Sequence, residues 1–152
     1  MTDSIQITEA TLSDIPYLCK LLDILFTQEV EFKHNEEAQQ RGLTAIINHP
    51  ETGQILVAQR AGNVIGMVNL LYTVSTALGG RVALLEDMVV VPDARHMGVG
   101  SQILKRAIQV AQNNGCKRIT LLTDGTNHPA QIFYQKHGFE ISSMLALRLR
   151  LD

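Results

Sequence analysis

The spacing of apolar residues shifts along this chain between the periods of strands and helices. Ile5 to Glu9 alternates apolar and polar residues and predicts a short first strand, with Thr11, Ser13 and Asp14 behind it as candidate helix caps. Ile15, Leu18, Cys19, Leu22, Leu25 and Phe26 recur at intervals of three and four, the stripe of one helix reaching about Thr27. Glu29 to Gln40 is polar and charged, a solvated helix and loop whose helical character continues through Leu43, Ile46 and Ile47. As a functional element, this stretch would form a mobile wall over an acceptor site.

From Gln54 the period shortens. Ile55 to Gln59 and Val64 to Tyr72 are β-rich runs separated by Arg60-Ala61-Gly62-Asn63, a good hairpin turn. Gly79-Gly80 signals another turn, and Arg81 to Val91 forms a long apolar strand, interrupted by Glu86 and Asp87 and stopped at Pro92. Beyond it the pattern predicts a helix from about Val99 to Asn114, a strand over Arg118 to Thr123, a helix over Asn127 to His137 and a final strand from about Met144 to Leu151. Strands in succession followed by alternating helices and strands predict an α/β (α+β-like) architecture, a mixed sheet with helices on both faces. No repeat, low-complexity tract or linker divides residues 1–152, which read as a single domain.

Composition adds exclusions. Apolar residues make up 45% and charged residues 18%, as expected of an ordered globular chain, and a formal net charge of -2 gives no reason to expect nucleic acid or an anionic membrane as a partner. No apolar stretch is long enough for a membrane span, and the start of the chain does not read as a signal peptide. A cytoplasmic protein is expected, with Cys19 and Cys116 as small buried hydrophobes and no disulfide. The five histidines, His34, His49, His96, His128 and His137, have no metal-ligand spacing, and no metal is expected. His96 should contribute its backbone N–H and His137 a favourable charge at a helix end. Cys116 has no adjacent base to make it a nucleophile.

The candidate chemistry lies in Arg95-His96-Met97-Gly98-Val99-Gly100-Ser101, between an apolar strand and a helix. Free N–H groups at the helix start converge there, two glycines let the backbone approach an oxygen, and an anion such as pyrophosphate fits. The dinucleotide fingerprint would need a third glycine or alanine where Ile103 stands, and the P-loop would need Gly-Lys-Ser/Thr, which is absent.

Arg-x-x-Gly-x-Gly after a strand ending at Pro92 resembles the coenzyme-A-binding motif of the GNAT superfamily of N-acetyltransferases. Asn127-His-Pro-Ala-Gln-Ile-Phe-Tyr-Gln-Lys-His-Gly-Phe139 resembles the superfamily's second hallmark, and the order of elements follows it over nearly the whole chain. The resemblance implies a GNAT fold with a mixed central sheet of about six or seven strands. It also implies transfer of an acetyl group from acetyl-CoA, as co-substrate, to an amine of a small molecule or peptide. Carried over by position, Met88, Val89 and Val90 would pair with the pantetheine arm, and Arg95 to Ser101 would hold the pyrophosphate. Asn127 would contact the donor near its thiol, and Tyr134 would protonate the departing thiolate.

Leu85-Glu86-Asp87-Met88-Val89-Val90 resembles the acidic strand of the glucosamine-phosphate acetyltransferases and makes Glu86 the candidate base. Strand alternation puts Glu86 and Asp87 on opposite faces, and Asp87, Asp124 or water are alternatives for the role. A non-catalytic acyl-CoA-binding sensor or regulatory module would share the phosphate turn without needing Tyr134 or the acidic pair. The superfamily also admits a homodimer. The acceptor itself is not legible.

Overall fold

A computed structural model describes residues 4–28 and 35–152, so the first part of the predicted polar wall, residues 29–34 with His34, lies outside the described residues. The chain divides into two compact units, residues 1–122 and 123–152.

The first unit is a five-stranded sheet in the order β1 (Ile5–Glu9), β2 (Gly53–Arg60), β3 (Asn63–Ser75), β4 (Gly80–Val90) and β5 (Ile119–Leu121). The first four strands are antiparallel neighbours and β5 joins β4 in parallel, which makes the sheet mixed as the pattern predicts. Between β1 and β2 come α1 (Ile15–Gln28) and α2 (Glu36–Ile47); α3 (Val99–Asn113) links β4 to β5. A 3-10 turn at Leu12–Asp14 leads into α1, its Asp14 carboxylate accepting the Thr11 N–H at 2.8 Å. Asn35 caps α2 by accepting the Ala38 N–H at 3.1 Å.

The apolar stripes decide where these helices go. Leu18, Cys19, Leu21 and Leu22 of α1 and Leu43 of α2 pack with Ile55, Val57, Met67 and Val89 on one face of the sheet. Helix α3 covers the other face, burying Val99, Ile103, Leu104, Ala107 and Ala111. Gly66 favours that approach, because a Cβ there would lie 2.7 Å from Ile103 Cδ1 and 3.2 Å from the Val89 carbonyl oxygen. The β2–β3 hairpin closes through Ala61 (φ 52°) and Gly62 (φ 79°), two left-handed residues between Arg60 and Asn63, the conformation that suits the right-handed twist of the strands.

In the second unit, α4 (His128–Lys136) opens with Asn127 accepting the Ala130 N–H at 3.2 Å and ends at Gly138, whose φ is 98°. The expected strand over Met144 to Leu151 is not formed, and the sheet has five strands where six or seven were expected. The alternation is present in the residues, yet Leu145, Leu147, Leu149 and Leu151 are all exposed. Alternation sets which face of a strand seeks cover; a strand also needs a ladder partner for its N–H and C=O groups, and this segment has none among the described residues.

Candidate functional site

Strand β4 changes character halfway along. Its first half pairs with β3 on one side and, from Ala83 to Leu85, with β5 on the other; beyond Leu85 the β5 ladder ends. The β3 ladder is shifted at the same place: Asn69 opposes Glu86 and Met67 opposes Val89, so Asp87 and Met88 share the single residue Val68. This is a β-bulge, and Asp87 takes a φ of 55° within it. Glu86 is exposed, Asp87 half-buried, and Val89 buried among α1 and α2. The bulge interrupts the simple alternation on which the opposed-face expectation for Glu86 and Asp87 rested. Met88, Val89 and Val90 thus lie on a stretch of β4 with no β5 partner.

That stretch leads directly to the glycine turn. Pro92–Ala94 form one 3-10 turn, Arg95 is extended, and His96 (φ 68°) and Gly98 (φ 79°) are left-handed before α3 begins at Val99. A Cβ on Gly98 would meet nothing within 4 Å, so glycine is favoured there by its backbone angle and not by crowding. The N–H groups of Val99, Gly100 and Ser101, in the first turn of α3, have no carbonyl one turn earlier in the helix to bond. His96, Met97 and Gly98 are exposed around them. Arg60 reaches across to donate to the Met97 sulfur at 3.1 Å, fixing the crest of the turn.

Tyr134 and Asn127 belong to the second unit. The Tyr134 ring makes edge contacts with Phe133 and Phe139, at centroid separations of 5.2 and 5.7 Å, and burial pushes its phenol up to about 12. It therefore stays protonated across the physiological range. The Asn127 carbonyl is committed to its helix cap, which leaves the side-chain NH2 for other partners. His137 Nδ1 bonds the Phe133 carbonyl at 2.9 Å, an attachment to its own helix end. Asp124 accepts the N–H and hydroxyl of Thr126 at 3.0 and 2.8 Å, and these bonds hold its carboxyl below the usual range.

Burial raises both cysteine thiols, the opposite of what a reactive thiolate needs. Among the described residues no group of three or more His, Cys, Asp and Glu is placed to hold a metal, and no helix is long and apolar enough to cross a membrane.

A cavity of about 270 Å³ lies between α1, α2 and the bulge. Its polar lining includes Asn69, whose Nδ2 donates to Asp87 Oδ2 at 2.5 Å. Sequence reasoning missed both residues as a pair. The available signal was Asn69 itself, an amide inside the apolar run Val64 to Tyr72, because a buried amide in a strand needs a partner.

The mixed α/β fold is shared with known acetyltransferases. Residues 16–139 match the model of the acetyltransferase (GNAT) family, and the chain belongs to that family. It is 35% identical over 121 residues to YhfO, an uncharacterized N-acetyltransferase of Bacillus subtilis, covering 76% of this chain and 79% of that protein. It is 29% identical over 139 residues to an amino-acid acetyltransferase of Azotobacter vinelandii, which covers 91% of this chain but only 28% of that longer protein. An aminoglycoside N-acetyltransferase solved in complex with CoA shares the fold, with a TM-score of 0.85 at 19% identity over 99% of this chain and 97% of that one.

Proposed function

We propose that the chain, as one N-acetyltransferase domain, moves an acetyl group from acetyl-CoA to an amine of a small molecule or peptide by direct attack. The observation that carries this reading is the continuity of the open edge of β4 with the turn that starts α3. Met88, Val89 and Val90 offer backbone groups to the pantetheine amides as an added strand would, and Arg95, His96, Met97, Gly98, Val99, Gly100 and Ser101 offer N–H groups and a guanidinium to the pyrophosphate. The CoA bound to the aminoglycoside acetyltransferase of the same fold supports this choice of donor.

Glu86, exposed at the bulge, takes a proton from the acceptor ammonium, directly or through water. The amine lone pair attacks the thioester carbonyl, the C–S bond breaks, and Tyr134 gives its proton to the departing thiolate. Asn127 contacts the donor near the thiol through its free NH2. The products are an amide and the CoA thiol, with one net proton released to solvent. A phenol near 12 is a weaker acid than a thiol near 8.5, so its first contribution is a hydrogen bond to the developing thiolate. A cytoplasmic setting supplies acetyl-CoA.

The test is calorimetry with CoA, followed by a screen of amines with detection of released CoA thiol. Micromolar CoA binding and turnover on at least one amine class are expected; folded protein that binds no CoA would overturn the reading. CoA binding with no turnover on any amine would instead favour a non-catalytic acyl-CoA sensor.

A further inference from the structure

Arg60 stands at the end of β2, where its backbone is held on both sides, opposite Ile5 of β1 and Asn63 of β3. Its side chain crosses to the glycine turn, 37 residues further along the chain, and Nη1 donates to Met97 Sδ at 3.1 Å. A thioether is a weak acceptor, and it takes only one of the five N–H donors of a guanidinium. Among the described residues Arg60 has no carboxylate partner, and its Nε and Nη2 have no acceptor. A permanent cation with a half-buried stem is thus held at the crest of the turn with one edge of its fork uncommitted.

The second arginine of this turn is placed differently. Arg95 bonds Val90, on the side of the strand segment assigned to pantetheine. Arg60 arrives from the β2–β3 hairpin and meets the turn at Met97, before the first-turn N–H groups of Val99, Gly100 and Ser101. Coenzyme A has three parts in order: pantetheine, pyrophosphate and a ribose that carries a 3′-phosphate. With β4 taking the first and the turn the second, the third passes beyond the turn. We propose that Arg60 receives the 3′-phosphate of CoA and so makes the chain discriminate between CoA and dephospho-CoA. This rests on the acetyl-transfer reading above. A phosphate monoester carries about -1.5 to -2 charges near neutral pH and offers three acceptor oxygens, which suit the planar Nε–Nη2 edge of a guanidinium. Nη1 can keep its bond to Met97 while that edge takes the phosphate. The Met97 sulfur acts through Arg60, as a positioning group.

Calorimetry with CoA and with dephospho-CoA tests this. Wild-type protein should bind CoA about tenfold tighter than dephospho-CoA, as one charge-assisted contact at an exposed site provides. Arg60→Met keeps the apolar stem and removes the charge; it should bring the two ligands within about twofold of each other and leave dephospho-CoA affinity unchanged. Arg60→Lys should keep a preference of about threefold, having the charge without the fork. Met97→Leu should reduce the preference part of the way, because Arg60 must then be ordered as the phosphate binds. Each variant is compared on two ligands, so a general loss of folding moves both alike and does not imitate the expected result. Equal losses for both ligands in Arg60→Met would place Arg60 on the pyrophosphate or in a structural role, and would overturn the assignment. A preference that survives in Arg60→Met, or none in the wild type, would overturn it too. Folded wild-type protein that binds neither ligand would overturn the transfer reading along with it, whereas binding of both without discrimination overturns this inference alone.

Discussion

Arg95 donates through Nε to the backbone carbonyl of Val90 at 3.2 Å, tying the glycine turn to the open edge of β4. One side chain therefore touches both regions assigned to the donor. Replacing it removes the guanidinium offered to the pyrophosphate, and a charged hydrogen bond contributes about 1.5–3 kcal/mol in general, nearer the low end at this exposed position. Arg95→Ala should raise the Kd for CoA about tenfold, since ~1.4 kcal/mol is a factor of ten. Arg95→Lys should recover little, because an ammonium lacks the planar guanidinium fork. Calorimetry with CoA, and with pantetheine as a ligand lacking the pyrophosphate, checks this: the loss should be larger for CoA.

Ala61 sits at φ 52° beside Gly62 at φ 79° in the two-residue β2–β3 turn. A left-handed alanine costs roughly 1–2 kcal/mol, and asparagine reduces that cost by bonding locally. Ala61→Asn creates the Asn-Gly pair that this turn prefers. It should stabilise the first unit by about 0.5–1 kcal/mol, read as a higher urea midpoint with unchanged slope. A lower midpoint would show that the turn is set by something other than its backbone angles.

Much of the first unit was legible because its stripes are regular. Ile15 to Phe26 keeps helical spacing, Val64 to Tyr72 is a long β-rich run, and both became the elements expected of them. The glycine turn was legible because Gly98 needs no neighbour to explain it. The bulge was not, because it depends on how β4 registers against β3, and neither Asp87 nor Val68 announces a two-to-one pairing. The cavity behind the bulge was illegible for a related reason: Leu22, Gly42 and Asn69 come from three elements whose meeting is tertiary. Over Met144 to Leu151, alternation was read as a strand, although pairing depends on a second edge that the segment itself does not encode.

Tyr134 has a pH signature. Burial raises its phenol from 10 to about 12, so the fold favours the protonated form. Stability from this group is fully present below about pH 10 and is lost as pH rises toward 12, the unfolded chain releasing the proton first. Tyr72, also raised to about 12 by burial, shares that loss. Activity should show no alkaline decline from Tyr134 below about pH 11. Tyr134→Phe should lower kcat by roughly 10²–10⁴-fold with CoA affinity unchanged, and should reduce the loss of stability above pH 10. Wild-type kcat in the variant would end the acid assignment.

The base is distinguished by comparing three carboxylates that differ in their surroundings. Asp124 accepts two bonds from Thr126 and is held below the usual carboxyl range, which makes it a poor proton acceptor. Asp87 accepts the Asn69 amide at the bulge, a bond that orients its carboxylate. Glu86 is exposed beside the same bulge and is available to pass a proton to water. Glu86→Gln should lower kcat/KM about a hundredfold near neutral pH and flatten its rise with pH, because general-base catalysis contributes about 10²–10⁴-fold. Asp124→Asn should leave that rise intact. A pH–rate profile for the three variants on one amine decides among them: an unaltered rising limb in Glu86→Gln would give the proton to water, and a limb lost only in Asp87→Asn would move the base one residue along the strand.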